Sequence, residues 1–350
     1  MNIDDIDLVC LDVNGGVGDL ISYYYGMGWG RTSYTYADDW KYLKGFKKNF
    51  PEKHVILIMN SLNPQLAQDF IKYFPFIDMI FLKNSAKKPY NNNEIYNLKK
   101  EYWITDYFKS IKSNHAPRDW DYYSFVLMHN SRVTLVNEFL KYCDIEPEKD
   151  IQVYISNQDY SEIQSLLEKK YIIFHPFADE KHRNCEKIGS NYPAFSEKKY
   201  SEVCNILAES GKNVYVLGGS GQEIPSLNHP NIINLCGKLN IRQSVYLTEN
   251  CDGLVGSNSA MSCVTYSKKI PTVVLTPSYD NLEKGDIAVH PNKGPQVDMH
   301  IRRNGPENAY VFFERPSTFR YLKPEIVANK LLDLMKGVSG KINPYNLKFT

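Results

Sequence analysis

The chain has 350 residues, 43% of them hydrophobic and 23% charged, the range of folded globular proteins rather than of disordered or fibrous ones. That length is too great for one ordinary core and fits two domains. Lys and Arg number 41 against 40 Asp and Glu, and a net charge of +1 provides no global field for nucleic acid or an anionic membrane surface.

Residues 6–13 form a short apolar run that predicts a buried strand, followed by Asn14-Gly15-Gly16-Val17-Gly18-Asp19 and an apolar helical start. Residues 54–59 and 77–82 predict two more strands with a helix over 63–73 between them. A strand is expected at 151–155 and a helix at 160–169. The second half repeats the pattern. A strand at 171–175 precedes an amphipathic helix at 196–210, with Tyr200, Val203 and Leu207 on one face and Gly211 just past its end. The 213–217 strand runs into Gly218-Gly219-Ser220-Gly221, and a strand at 232–235 precedes Cys236-Gly237-Lys238. A helix at 242–250, a strand at 253–255, a helix from 259 to 267 and a strand at 273–276 close the set, and 324–336 is a final amphipathic helix.

This alternation predicts an α/β protein with parallel sheets covered by helices on both faces. The expected division is an N-terminal domain over 1–160, a second over 161–323, and a helix and tail over 324–350, with a cleft between the two halves. The seven cysteines are odd in number and scattered, without a C-x-x-C pair, which excludes a disulfide framework or zinc ribbon and points to a reducing compartment. No run approaches 18 apolar residues, and residues 1–7 are acidic, so neither a spanning helix nor a secretory leader is expected. The expected location is the cytoplasm.

Glycine-rich turns after strands bind phosphates because backbone N–H groups and the next helix dipole face the anion. The turn at Gly15–Asp19 does not fit a dinucleotide fingerprint, since Ile21 stands where the third glycine belongs. The Gly-Lys pairs at 211–212 and 237–238 do not fit a P-loop, lacking its upstream glycine and its following Ser or Thr. Asp19 is a carboxylate at a strand-to-helix junction. It either accepts a proton from an attacking hydroxyl or caps the helix. Gly218, Gly219, Ser220 and Gly221 are either a flexible diphosphate loop or an ordinary connection. In Gly256-Ser257-Asn258-Ser259-Ala260-Met261-Ser262, small polar residues lead into a helix, so amides and hydroxyls converge on an anion, or the serines simply cap.

His175 ends a strand and either touches a phosphate or sits satisfied beside the sheet. Asp119-Trp120-Asp121 has the D-x-D spacing of a metal-bound sugar nucleotide, but Asp5-Ile6-Asp7 shares it and chance accounts for both. No H-x-x-x-H pair and no Gly-x-Ser-x-Gly elbow occurs. Tyr23, Tyr24, Tyr25, Trp29, Tyr34, Tyr36 and Trp40 could stack on a sugar or base, with core packing the favoured account.

The order of these features resembles glycosyltransferase family 9, the ADP-heptose lipopolysaccharide heptosyltransferases and their relatives. Gly18-Asp19 after the first strand is similar to that family's Gly-Asp motif. Ile172–Pro176 is similar to the first strand of its donor domain, and Tyr192-Pro193 to its Trp-Pro. The Val214–Gly221 stretch resembles its glycine-rich loop, and Asn234-Leu235-Cys236-Gly237-Lys238 its segment near the nucleotide base. Asp252 to Met261 followed by Ile270-Pro271 and Thr276-Pro277 resembles its donor-phosphate segment. The likeness covers roughly the first 25 residues and 171–277. Asn258-Ser259-Ala260 departs from the family's Asp-Thr-Gly, Cys263 stands at its histidine, and Ser190 near its donor-binding lysine.

The resemblance implies a GT-B fold, two Rossmann-like domains with parallel sheets facing a central cleft. It implies an inverting transfer from a nucleoside-diphosphate sugar to a glycan or other hydroxyl acceptor, Asp19 as general base, and no metal or cofactor beyond the donor itself. His175, Gly18, the Gly218–Gly221 loop, Gly237, Lys238 and the 258–262 segment would line the donor, with Lys181, Arg183 or Lys187 supplying positive charge. A GT-B sugar-nucleotide epimerase and a non-catalytic nucleotide-sugar-binding scaffold are the alternatives.

Overall fold

The computed structural model describes residues 8–15, 17–25, 36–61, 64–83, 126–128, 146, 148, 151–176, 197–222, 227–257, 259–277, 308–314 and 321–338. They fall into two compact units, Met1–Tyr154 and Ile155–Thr350.

In the first unit the strands are β1 (Leu8–Gly15), β2 (His54–Ser61), β3 (Met79–Lys83) and β4 (Val126–Met128), and the helices α1 (Val17–Tyr24), α2 (Tyr36–Asn49) and α3 (Pro64–Ile71). The sheet order is β3-β2-β1-β4, with every neighbouring pair parallel. Parallel strands need covering layers, and the helices supply them with apolar stripes at helical spacing: Leu20, Ile21 and Tyr24 on α1, Trp40, Leu43 and Phe46 on α2, Ala67, Phe70 and Ile71 on α3. Tyr24 lies at the centre of an aromatic cluster, 5.3 Å from Trp40, 5.8 Å from Phe70 and 4.7 Å from Phe74 between ring centroids.

The strand expected at 151–155 is absent. The segment is extended, and Ile151 and Val153 are buried, but it joins no ladder; the Gln152 carbonyl instead accepts the Tyr24 hydroxyl at 2.6 Å. Alternating apolar residues read as a half-buried strand whether the backbone bonds to a sheet or to a side chain. Tyr154 then packs 5.2 Å from Phe74 and has Lys44 over its ring.

In the second unit, α4 (Asn157–Leu167), β5 (Tyr171–His175), α5 (Glu197–Glu209), β6 (Asn213–Val216) and β7 (Ile232–Asn234) come first. Then follow α6 (Ile241–Glu249), β8 (Gly253–Ser257), α7 (Ala260–Ser267), β9 (Thr272–Pro277), β10 (Ala309–Glu314) and α8 (Pro324–Met335). The six strands are all parallel in the order β10-β9-β8-β5-β6-β7. The set therefore does not close at the 273–276 strand as expected, because β10 pairs along β9 from Ala309↔Thr272 to Glu314↔Pro277.

Alternation along β5 and β6 divides their side chains between two layers. Ile172, Phe174, Val214 and Val216 join Val203 and Leu207 of α5 and Val327, Leu331 and Leu334 of α8 in one core. Tyr171 and Tyr215 face the other way, stacked at 4.5 Å, and their hydroxyls donate to the carbonyls of Leu247 at 2.8 Å and Leu166 at 2.9 Å. Both buried phenols thus find acceptors at the ends of α6 and α4, which removes the cost of an unpaired polar group.

A buried polar staple joins those two helices. Arg242 donates from Nε at 3.1 Å and from Nη2 at 3.0 Å to Asp159 Oδ2, and Asn240 Nδ2 donates to Asp159 Oδ1 at 2.7 Å. Burial alone would raise the Asp159 pKa. The hydrogen bonds from Arg242, Asn240 and Ser156 outweigh it and hold the carboxyl below its ordinary value. Gln243 adds bonds to the Asp159 carbonyl at 3.1 Å and to Glu162 Oε2 at 2.7 Å.

Candidate functional site

The order β10-β9-β8-β5-β6-β7 means that the chain leaves β5 towards β6 and β7, then returns to build β8, β9 and β10 on the other side. The crevice past the carboxyl ends of β5 and β8 is therefore the topological switch point, where ligands bind in open parallel sheets. His175 ends β5 and is in register with Gly256 of β8. A Cβ on Gly256 would lie 2.3 Å from the His175 carbonyl oxygen, so only glycine lets the two backbones approach here.

The His175 side chain reaches across the switch point, with Nδ1 3.0 Å from Ser259 Oγ. Burial lowers its pKa to about 4, against a smaller opposing backbone hydrogen bond, so the imidazole is uncharged at neutral pH. The ring therefore meets the Ser259 hydroxyl as a neutral group.

Ser259 is the N-cap residue of α7, with extended backbone at φ −142° and ψ 176°. Its amide donates to Ser262 Oγ at 3.3 Å, and that hydroxyl donates to the Ser259 carbonyl at 2.6 Å. The Met261 side chain is buried, its sulfur 3.4 Å from Thr248 Oγ1. The hydroxyl of Ser262 and the thioether of Met261 are thus engaged within the fold, and what this turn keeps for an anion is backbone. Among the described residues no acceptor meets the amides of Ala260 and Met261. Beside them, Ser257 Oγ is a buried polar atom without a partner among the described residues.

Gly218, Gly219, Ser220 and Gly221 follow β6 on the same edge of the sheet, and Gly237 and Lys238 follow β7. The two loops support each other. Gly237 N–H donates to the Gly218 carbonyl at 3.0 Å, and a Cβ on Gly237, whose φ is +68°, would lie 2.9 Å from Ser220 Cα. The Gly219 amide is taken by Gln222 Oε1 at 2.7 Å, and Lys238 Nζ donates to the Asn234 carbonyl at 2.8 Å. Ser220 and Gly221 lie exposed at the loop tip.

Residues 118–283 match the model of glycosyltransferase family 9 (heptosyltransferase). The match covers just under half of the chain. The match supports glycosyl transfer as the chemistry. Among solved structures, a family 9 glycosyl transferase from Veillonella parvula DSM 2008 superposes with a TM-score of 0.53 at 13% identity, over 95% of this chain and 98% of that one. The E. coli ADP-heptose lps heptosyltransferase II gives 0.53 at 16% identity over 93% and 98% of the two chains. The E. coli heptosyltransferase WaaC with ADP gives 0.50 at 10% identity over 93% and 99%. The fold is GT-B, as the sequence motifs imply. No curated protein sequence matches the chain.

The family 9 match begins earlier than the motif likeness at 171, and it leaves out the first 25 residues. Gly18 and Asp19 therefore stand apart from it. Both lie in the first turn of α1, inside the helix rather than at its cap, and the Gly18 carbonyl accepts the Ser22 hydroxyl at 2.7 Å. The Asp19 side chain lies outside the described residues, as do Lys181, Arg183, Lys187, Asn258 and Asp119–Asp121. Of the aromatic residues after Asp19, Tyr24, Tyr25 and Trp40 are buried in the core, which excludes them from stacking on a ligand.

Among the described residues no group of three His, Cys, Asp or Glu could hold a metal ion, and no helix is long and apolar enough to cross a membrane. The His175–Ser259 bond, the unpaired Ser257 hydroxyl and the Gln222 lock on Gly219 do not emerge from motif reading. Only the lock carries a local signal, an amide side chain directly after a glycine run.

Proposed function

We propose that this protein moves a sugar from a nucleoside-diphosphate donor to an acceptor hydroxyl in a single displacement that inverts the anomeric carbon. Asp19 takes the proton of the acceptor hydroxyl, whose oxygen attacks the anomeric carbon. The bond from that carbon to the diphosphate oxygen breaks, and the nucleoside diphosphate leaves with the electron pair. Negative charge gathers on the departing phosphate, and fixed donors meet it without reorganising.

The observation that supports this reading is the pair of unaccepted amides, Ala260 and Met261, at the β5/β8 switch point within the family 9 match. The Gly218–Gly221 and Gly237–Lys238 loops line the same sheet edge and in this reading receive the nucleoside end of the donor. His175 is uncharged, so the cation facing the diphosphate is assigned to Lys181, Arg183 or Lys187. The reading needs no metal. A reducing compartment, the cytoplasm, is assigned to the protein from the scattered cysteine pattern. Of the structural neighbours, one is an ADP-heptose heptosyltransferase and another a heptosyltransferase with ADP, so ADP-heptose is the first donor to assay. Asn258-Ser259-Ala260 differs from the family's segment, so ADP-, UDP- and GDP-hexoses belong in the same panel.

Product analysis with that panel tests the function. Nucleoside diphosphate released only when an acceptor is present supports transfer. Interconversion of the donor without acceptor means an epimerase, and a thermal shift without turnover means a binding protein. Asp19→Asn is expected to lower kcat about 100-fold or more while leaving donor affinity unchanged, the usual weight of a general base. Full activity in that variant removes Asp19 from the mechanism. Ser259→Glu brings a carboxylate to the amide pair and is expected to weaken nucleoside-diphosphate binding by about tenfold or more in calorimetry. Unchanged affinity would move the diphosphate elsewhere.

A further inference from the structure

We infer that His175 is a positioning residue: bonded to Ser259, its imidazole holds the first turn of α7 where the amides of Ala260 and Met261 meet a diphosphate. The inference rests on the donor-site reading above and adds a residue that acts through another.

The body of α7 is fixed independently of this turn. Ser262, Cys263, Val264, Thr265 and Tyr266 are fully buried, and Met261 packs on Thr248 of α6. The bonds between Ser259 and Ser262, with that from the Cys263 amide to the Ser259 carbonyl, tie residue 259 to its own helix and to nothing in the sheet. Among the described residues, the contact from His175 Nδ1 to Ser259 Oγ ties this turn to the neighbouring strand.

The anchor at the other end is rigid. His175 closes β5 against Gly256, where the backbones stand too near for any side chain. A ring mounted on that strand end fixes its hydroxyl partner in the way that outer contacts orient the groups touching a ligand. An uncharged ring suits the task. It exchanges one hydrogen bond with a hydroxyl and leaves the phosphate charge to backbone dipoles.

Inorganic pyrophosphate is the probe, because it reads the phosphate cradle without depending on the base or sugar. Calorimetric titration of the full chain is expected to show His175→Leu and Ser259→Ala each weakening pyrophosphate binding about tenfold, the weight of one neutral hydrogen bond. The double variant should be no weaker than either single one, because both remove the same link. His175→Asn, whose side-chain amide falls near the Nδ1 position, should restore most of the affinity. That rescue separates positioning from direct contact with the anion and from a loss of folding, and Ser259→Ala carries the test if His175→Leu does not fold. Unchanged affinity in the single variants, or additive losses in the double one, overturns the role of His175 while the donor site stands. A native chain that binds neither pyrophosphate nor any nucleoside diphosphate overturns the donor-site reading itself, and this inference with it.

Discussion

Replacing Gly256 by alanine should lower the thermal midpoint by about 10 °C or more, and replacing it by valine should leave no folded protein to purify. Ordinary overpacking costs about 1–3 kcal/mol because side chains turn aside. Here the nearest atom to the new Cβ is the His175 carbonyl oxygen at 2.3 Å, followed by the carbonyl carbon at 3.0 Å. Both are backbone atoms of a central strand in register with β8, so relief requires parting β5 from β8. For a unit the size of Ile155–Thr350, each kcal/mol lost moves the midpoint by about 2–4 °C, so a cost of about 3–5 kcal/mol gives the stated shift. Gly253 in the same strand is the control. Its added Cβ would touch Leu331 Cδ1 at 3.2 Å and Met335 Sδ at 3.3 Å, the ends of flexible side chains. Gly253→Ala should cost little by comparison in the same calorimetric scan. Equal shifts in the two variants would mean that the close approach of β5 and β8 is not what Gly256 provides.

The same strand pair shows what a sequence discloses. The strand at 171–175 is legible end to end, because Tyr171-Ile172-Ile173-Phe174 is continuously apolar and bounded by polar residues, and it is buried on both faces. The helices at 197–209 and 324–335 are legible because one face packs and the other does not, so their spacing survives in the residues. The α2 helix escapes, since Asp38, Asp39, Lys41, Lys44 and Gly45 interrupt a stripe in which Trp40, Leu43 and Phe46 do the packing. β10 is an apolar run of the same kind, Tyr310-Val311-Phe312-Phe313, which an expected closure of the set at 273–276 leaves out. The site divides the same way. Its glycine turns and small polar residues are visible as phosphate-type loops, whereas the bond between His175 and Ser259 spans 84 residues and exists only once β5 and β8 are neighbours. Hydroxyls that look available in a string of serines can also be consumed locally, as the Ser262 hydroxyl is.

Arg242→Ala should destabilise the second unit by about 3–5 kcal/mol, the cost of leaving one member of a buried pair without the other. Asp159 and Arg242 have side chains only 11% and 8% exposed, and the bonds from Arg242 Nε and Nη2 both fall on Asp159 Oδ2. Asn240 can still serve Oδ1, but no neutral donor replaces the guanidinium charge. The loss also reaches the site edge. Asn240 caps α6 through its bond from the Gln243 amide at 2.9 Å, and α6 begins just after the loop in which Gly237 packs on Ser220. Replacing both partners together, Asp159→Leu with Arg242→Met, should recover most of the stability, because a buried ion pair mainly offsets its own desolvation. The pH dependence has a fixed sign. A carboxyl held below its unfolded value contributes stability above about pH 4, and that contribution is lost as pH falls through the lower folded value. The native chain should therefore lose stability in that acid window more steeply than the double variant, measured by urea unfolding at successive pH values. A double variant as unstable as Arg242→Ala alone would show that the two helices are held by the charge pair itself and not by the shape it fills.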